Sequence, residues 1–417
     1  MKIKKILALI LAICLLGSLC ACQDSGAKNP AITETKAPAE KTDVADPLTW
    51  DDINALPIAN DSMSEDELRQ LCVDFMNMTM LFPWTPSEQT DFAPSGAVTK
   101  TFSRGIVYGG TPYVANTMGN IYTMMEYYDE RNGMLDLSGG MNTIREFSNQ
   151  CSGSTFWAWQ RVCNSISYSG TSDAVERNGC LRVGPYTYSD SIIDFHLENK
   201  TTTQVCIENG TDTMFESYAL LKPADGIVNY TNAGHVRMIS GLPNVVRDAA
   251  GRIDGNQSTV TYTDQDSLWY QHTQADGTPY EHAGGYNVEV SFARLFSDGY
   301  LPFTFAELNK SEPIEKSETT INISGESVNT TQLIGAEVKS NYSISDITIV
   351  IKDKNGNQVY RKLAPAYKSG IPVPAANVRM VVSDDLNAFT DGTYTVEISA
   401  RIGTGEKPVV YTGTLVK

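Results

Sequence analysis

Residues 149–162 read NQCSGSTFWAWQRV, and this stretch decides the fold of the region around it. Behind its cysteine, large apolar residues recur at spacings of three and four: Phe156, Trp159, Val162 and Ile166. That spacing predicts the buried face of a helix that begins near Cys151. At a helix N-terminus, unpaired backbone N–H groups and the helix dipole favour an anion, so the thiol would lose its proton more easily. The stretch therefore predicts either a cysteine nucleophile or an inert buried thiol, and position alone does not favour the nucleophile.

A second informative stretch, residues 218–242, reads YALLKPADGIVNYTNAGHVRMISGL. Its turn residues precede a strand that opens with His235, and residues 258–263 predict a further strand that forms a long hairpin with it. Counting back from a turn near Gly251 puts His235 opposite residues 264–266. A thiol at a helix start and a histidine at a strand start can act as nucleophile and base, because folding can bring distant residues together.

Together the two stretches resemble the NlpC-like, papain-fold cell-wall peptidases. Residues 151–153 (CSG) are similar to the Cys-Ser-Gly motif of that family. Residues 222–225 (KPAD) and 234–236 (GHV) are similar to its KPGD and HV block, with Ala224 where the family has a glycine. Residues 110–113 (GTPY) resemble the Pro-Tyr element ahead of the family's nucleophile. The resemblance depends on the order of these motifs and on the sequence around them more than on any one tripeptide.

The resemblance covers roughly residues 102–305, about half of the chain, and implies a role for three side chains. By this resemblance, Cys151 is the nucleophile and His235 is the general base. The hydroxyl of Tyr113, with the backbone N–H of Cys151, would help to bind the oxyanion. The reaction implied is hydrolysis of amide bonds in cell-wall (peptidoglycan) peptides by a cysteine endopeptidase or amidase.

A third polar residue normally orients the histidine in this family. The family has it about a dozen positions after the histidine, where this chain has Arg247 and Asp248. The predicted hairpin instead favours Gln265, whose side chain can accept a hydrogen bond from the imidazole N–H. Asp264 and Asp248 are the alternatives.

Two other functions are compatible with the sequence. One is a non-catalytic surface lipoprotein that uses a degenerate papain-like fold and a β-sandwich for binding, and the other is a related acyl transferase or lipid amidase. The formal net charge of −17, from 32 Lys and Arg against 49 Asp and Glu, argues against nucleic acid as a partner. The sequence has no CxxC or HExxH spacing and its four histidines are scattered, so we expect no metal and no cofactor.

Residues 1–22 are typical of a targeting segment for export. Three lysines precede an apolar run over residues 6–16, which is too short to span a membrane comfortably. The ending LCAC resembles a bacterial lipobox, which implies that Cys22 is lipidated and becomes the mature N-terminus. Residues 23–47 are poor in large apolar side chains and predict a flexible tether. We therefore expect an extracytoplasmic protein that a lipid anchors to the cell membrane, facing the wall.

The predicted fold class is α+β, in two domains. Residues 48–310 would form a papain-like, NlpC-type catalytic domain, with helices packed on an antiparallel sheet. Its N-terminal helical extension would contain a helix capped by Ser64 that ends before Pro83. Residues 311–417 contain short alternating strands and no long helical pattern, which predicts an immunoglobulin-like β-sandwich. Because this domain has no cysteine or histidine, we expect it to serve targeting or spacing.

Further expectations concern local elements and the remaining cysteines and histidines. Residues 164–213 are expected to be an insertion. Short strands are expected at 180–183, 204–207, 286–292 and 333–338. The five cysteines after the export signal are an odd number, so at least one of these thiols should lack a disulfide partner. His196 is expected to be at the surface or locally bonded, and His272 and His282 are expected to be exposed to solvent rather than to serve a site.

Overall fold

A computed structural model describes residues 48–166, 180–187, 201–230, 234–273, 277–366, 378–379, 386 and 389–417. Helices account for 23% of the structure and strands for 33%, and the strands form several sheets. This mixture confirms the predicted α+β class. The predicted export signal, the tether and His196 lie outside the described residues. Each helix among these residues is too short or too polar to span a lipid bilayer.

The helices in these ranges are α1 Trp50–Ala55, α2 Glu65–Leu81, α3 Ile121–Met125, α4 Met141–Phe147, α5 Cys151–Trp159, α6 Thr202–Tyr218, α7 Phe292–Asp298 and α8 Thr330–Ile334. The strands before residue 310 are β1 Pro83–Pro86, β2 Thr90–Phe92, β3 Lys100–Phe102, β4 Val107–Gly109, β5 Tyr128–Asp129, β6 Met134–Leu135, β7 Cys180–Arg182, β8 Gly226–Tyr230, β9 Gly234–Ile239, β10 Thr259–Thr263, β11 Trp269–Thr273, β12 Pro279–Ala283, β13 Val288–Ser291 and β14 Leu301–Phe305. The later strands are β15 Thr319–Ile321, β16 Ser327–Asn329, β17 Glu337–Ser340, β18 Ile344–Lys352, β19 Gln358–Pro365, β20 Val378–Arg379, β21 Thr393–Ile402 and β22 Val409–Val416.

The N-terminal part of the chain is built on two six-stranded sheets. One has the strand order β13-β10-β9-β8-β14-β7, and its neighbouring strands pair antiparallel. The other has the order β11-β12-β4-β1-β6-β5 and mixes parallel with antiparallel pairs. Helix α5 lies against β9 of the antiparallel sheet, and α2 packs on α5. This packing brings the predicted nucleophile helix next to the predicted base strand.

Helix α2 forms where the sequence predicts it. Ser64 is its N-cap: the Ser64 hydroxyl accepts from the Glu67 N–H at 3.2 Å, and the Glu67 carboxylate accepts from the Ser64 N–H at 2.7 Å. This reciprocal capping and the acidic residues of the first turn favour a helix start at this point. The helix ends at Leu81, before Pro83, as predicted.

Buried Arg69 joins α2 to the KPAD residues. Its Nη1 donates to the Asp225 carboxylate at 2.7 Å, and Lys222 Nζ lies 2.7 Å from the Glu65 carboxylate at the start of α2. Ala224, between these two contacts, has a φ of +66°, which lies in the left-handed region that favours glycine. Because Asp225 is paired with a buried arginine, its role here is to fix the turn that leads into β8 and β9.

Helix α5 is buried on all sides rather than on one face. All of its residues from Cys151 to Trp159 are buried. Its two tryptophans donate their indole N–H groups to backbone carbonyls, Trp157 to Met118 at 3.0 Å and Trp159 to Ala224 at 2.7 Å. Such partners are what buried indoles require. The helix is therefore the central element of this part of the fold.

Several local predictions are wrong. Residues 204–207 lie in helix α6, whose kink at Gly210 and polar composition obscure the helical periodicity. Residues 333–338 are divided between the end of α8 and the start of β17, and residues 286–292 contain the shorter strand β13 and the start of α7. The expectation that His282 is exposed is also wrong, since it is fully buried in β12.

The C-terminal part of the chain forms a second core. Its strands make a sheet of order β16-β22-β21-β18-β19 and a sheet of order β15-β17-β20. Their buried residues form a hydrophobic cluster from Val328 to Leu415, separate from the cluster that extends from Ile53 to Ile314. The described residues therefore pack around two hydrophobic cores.

Candidate active site

Cys151 is the first residue of α5, as the sequence predicts. Gln150 is the N-cap residue with an extended backbone, and its side-chain oxygen accepts from the Asn116 N–H at 3.0 Å. The thiol of Cys151 therefore lies at the positive end of the helix dipole, where an anion is favoured. Cys151 is also fully buried, so its thiol lies beneath the protein surface.

His235 is the second residue of β9, where it pairs with Asn229 of β8. Its Nε2 lies 2.6 Å from Oδ2 of Asp264, and the side chains are 24% and 2% exposed respectively. Because Asp264 holds Nε2, Nδ1 is the ring nitrogen that can exchange a proton with another group. Since α5 packs on β9, the histidine and Cys151 are carried by elements in direct contact.

Asp264, one of the alternatives that the sequence left open, is the residue that binds the imidazole. It lies one residue beyond the last antiparallel pair of β10 with β9. Its Oδ2 also accepts from Arg237 Nε at 3.0 Å, and its Oδ1 accepts from the Gly285 N–H at 2.9 Å. Burial would raise the pKa of Asp264, but the hydrogen bond and charge of His235 and the charge of Arg237 outweigh burial and hold this pKa below its ordinary value.

The side chain of Gln265 binds Thr111 rather than the imidazole, so its predicted role as the third residue is wrong. Gln265 is fully buried, and its Nε2 donates to the carbonyl oxygen and to Oγ1 of Thr111, the latter at 3.1 Å. Successive residues of an extended chain point in opposite directions, which is why Asp264 and Gln265 meet different groups. Asp248, the other alternative, pairs with Arg252 at 3.0 Å in an exposed turn.

Tyr113 lies in an extended stretch, residues 111–114, that runs beside the start of α5. Tyr113 and Asn149 form a parallel bridge in which the Asn149 N–H and carbonyl bond to the two neighbours of Tyr113, at 3.1 and 2.9 Å. Asn149 is two residues before Cys151. The backbone of Tyr113 is thus held next to the start of α5, and the role of its hydroxyl stays a prediction.

The sequence reasoning missed Arg237 as a part of this site. Its guanidinium lies over the rings of Tyr262 and Tyr300, 4.1 and 4.6 Å from their centroids. The sequence signal for Arg237 was its spacing from the histidine, because residues two apart on a strand share a face and Arg237 follows His235 by two.

Burial and the charge of Asp264 raise the pKa of nearby Asp266 to about 6.

Four further cysteines in the described part of the chain are buried thiols without a disulfide: Cys72, Cys163, Cys180 and Cys206. Burial raises the pKa of all four, to about 12 for Cys72 and Cys206, so the thiolate is disfavoured at these positions. Among the described residues, no group of three or more His, Cys, Asp or Glu side chains is arranged to hold a metal ion.

Comparison with known proteins adds no family to this geometry. No model of a protein family matches the chain, and no curated protein matches it significantly.

Proposed function

We propose that the protein is a cysteine peptidase or amidase with Cys151 as nucleophile and His235 as general base. One observation carries the proposal: the imidazole of His235, on the strand against which the Cys151 helix packs, is bonded at 2.6 Å to the buried carboxylate of Asp264. A carboxylate in this position orients the ring and stabilises the imidazolium that forms when the thiol gives up its proton. These contacts support a Cys-His-Asp site on a papain-like domain.

The proposed reaction proceeds through a thioester. The Cys151 sulfur attacks the amide carbonyl carbon, so a C–S bond forms and the carbonyl oxygen becomes an oxyanion. The Cys151 backbone N–H and the Tyr113 hydroxyl donate to that oxyanion. His235 passes the proton taken from the thiol to the leaving nitrogen as the C–N bond breaks. Water, deprotonated by His235, then cleaves the thioester and restores the thiol.

The proposed substrate is peptide of the bacterial cell wall. The resemblance of the CSG, KPAD, GHV and GTPY motifs to those of NlpC-like peptidases supports this choice. We place the enzyme outside the cytoplasmic membrane, anchored by a lipid on Cys22, where it would reach the wall. The two C-terminal sheets support an immunoglobulin-like sandwich as its second domain, over residues 311–417.

The alternative is a surface lipoprotein that binds wall peptide without cleaving it. The complete burial of Cys151 favours this alternative, because a thiol beneath the surface has to be uncovered before it can meet a substrate carbonyl. Hydrolysis that depends on Cys151 separates the two functions.

The test is hydrolysis of purified wall peptide by single-residue variants. Cys151→Ala and His235→Ala should each lower turnover by about 10³-fold or more, and the double variant should be little worse, because the two residues act as a unit. Cys163→Ala is the matched control, since Cys163 is a buried thiol just after α5, and it should retain the turnover of the wild type.

Two results would count against the enzyme. Full activity of Cys151→Ala, or loss of hydrolysis on adding a chelator, overturns the cysteine mechanism. Binding of wall peptide without hydrolysis, equal in the wild type and in Cys151→Ala, supports the binding lipoprotein instead.

A further inference from the structure

Gln265 is a buried amide that links two parts of the proposed site. It follows Asp264 in the sequence and is fully buried. Its Nε2 donates to both the carbonyl oxygen and the hydroxyl of Thr111. Because a carbonyl oxygen can only accept, this contact requires the NH₂ group of the amide to face Thr111.

Residues 111–114 are held by three separate elements. The Thr111 N–H donates to the Thr79 carbonyl in α2 at 2.9 Å. Tyr113 is bridged to Asn149, just before α5. The Gln265 contact ties the same residues to the chain that carries Asp264. The backbone of Thr111 is therefore hydrogen-bonded through both its N–H and its carbonyl.

We propose that Gln265 is a positioning residue. By fixing the backbone of Thr111, it sets the Tyr113 hydroxyl in the oxyanion site. This inference rests on the proposed function. Gln265 acts through Tyr113 and does not touch the reacting atoms, since its donor group is used by Thr111. A displacement of about 1 Å in a catalytic group can cost about 10²-fold in rate, so a lost anchor two residues away has a measurable effect.

A double-mutant cycle on the hydrolysis of wall peptide tests this inference. Gln265→Met keeps the side-chain length, removes the donor, and should lower kcat by about 10- to 100-fold with little change in KM. Tyr113→Phe removes the proposed oxyanion donor and should cost about 10²-fold. Adding Gln265→Met to Tyr113→Phe should cost less than about threefold more, because the two residues act in series. Gln271→Met, at an exposed glutamine of β11, is the matched control and should keep the wild-type kcat.

A second variant gives a measurement that a purely structural role of Gln265 would not change. In Gln265→Glu, the new carboxyl can donate to Thr111 only while it is protonated, and burial raises the pKa of such a group. The kcat of this variant should be highest at low pH and should fall as the carboxyl ionises, through an ionisation that the wild type lacks. The pH dependence of Gln265→Glu also tests the inference if Gln265→Met does not fold.

The outcomes distinguish the inference from the function on which it rests. If Cys151→Ala hydrolyses wall peptide as fast as the wild type, the proposed function fails. If hydrolysis depends on Cys151 but the costs of Gln265→Met and Tyr113→Phe multiply, Gln265 does not act through Tyr113 and the inference is overturned. A Gln265→Glu enzyme with the pH profile of the wild type overturns it as well.

Discussion

Asp264 accepts hydrogen bonds from His235, Arg237 and the backbone of Gly285 while it is almost fully buried. A buried carboxylate is stable when its charge is balanced, and Arg237 supplies a permanent positive charge. The histidine can therefore bind Asp264 either as a neutral ring or as an imidazolium. A general base needs this property, because it takes up a proton and returns it within one catalytic cycle.

The lowered pKa of Asp264 predicts an acid-dependent loss of stability. Folding favours the ionised carboxylate, so this contribution is fully present above the ordinary aspartate pKa of about 4 and is lost as the pH falls through the lower pKa of the folded protein. Asp264→Asn should remove that dependence. It should also lower kcat by about 10²- to 10⁴-fold, because the imidazolium loses its counter-charge. Thermal unfolding at a series of pH values and peptide hydrolysis measure the two effects.

Asp248→Asn is the matched control for this prediction. Asp248 is exposed and pairs with Arg252, and it is the other alternative that the sequence left open for the third residue. The variant should hydrolyse wall peptide as the wild type does. If Asp248→Asn abolishes hydrolysis and Asp264→Asn does not, the assignment of Asp264 is wrong.

Residues 111–114, which carry Tyr113, are preceded by a tight glycine turn. Gly110 has a φ of +61°, its N–H donates to the Phe82 carbonyl at 2.8 Å, and its carbonyl accepts from the Trp84 indole at 2.8 Å. A Cβ atom on Gly110 would lie 2.1 Å from the Thr79 carbonyl oxygen. Glycine is therefore required here by both the backbone conformation and the space.

Gly110→Ala should lower the free energy of unfolding by about 2–4 kcal/mol, because the methyl group meets backbone atoms that cannot move aside. It should also reduce kcat, because a displacement of the Gly110 backbone would displace Tyr113 three residues later. Gly105→Ala is the control: Gly105 has a φ of +77° but open space around its Cβ position, so about 1 kcal/mol is expected. Denaturant unfolding and peptide hydrolysis check both variants, and equal losses in the two would contradict the role of the turn.

Helix N-caps and the alternation of apolar and polar residues along strands are enough to predict many of the helices and strands around the site. The start of α2, the start of α5 and the strands β9 and β10 all lie within a residue or two of their predicted positions. Helices α6 and α7 were missed for different reasons. Gly210 interrupts the pattern of the first, and the second follows β13 directly with only Ser291 as a cap.

The third residue of the site could not be predicted because it depends on one residue of register. Asp264 and Gln265 are adjacent, and a shift of one residue in an extended chain exchanges the groups that they meet. The pairing of β10 with β9 ends at Thr263, just before the residues in question. The burial of His282 depends on the pairing of β12 with β11 and β4, which local polarity does not reveal.

The C-terminal part of the chain contacts the end of α5, the helix that begins at Cys151, directly. Gln160, the C-cap residue of α5, is fully buried, and its Oε1 accepts from the Ser343 N–H at 2.9 Å. The Arg401 guanidinium lies over the Tyr122 ring, 4.3 Å from its centroid. These contacts favour a structural connection to the site, beyond the targeting or spacing that the sequence led us to expect.

Gly405 allows the two domains to approach this closely. It has a φ of +91°, and a Cβ atom on it would lie 1.7 Å from Arg161 Nη1 and 2.6 Å from the Tyr122 hydroxyl. Arg161 is buried and donates to the Tyr122 hydroxyl and to the Pro57 carbonyl, each at 3.0 Å, so it cannot move away without losing these bonds. A side chain at position 405 therefore pushes the domains apart.

We expect Gly405→Ala to lower the free energy of unfolding by about 2–4 kcal/mol and to reduce kcat, because the end of α5 loses its fixed partner. Gly356→Ala is the matched control, since Gly356 has a φ of +82° in a turn of the same domain with open space around its Cβ position. It should cost about 1 kcal/mol and leave kcat unchanged. Thermal unfolding and hydrolysis of a small soluble peptide measure these effects. If both variants keep the wild-type kcat, and a chain shortened to residue 310 stays folded and active, the C-terminal domain serves targeting or spacing alone.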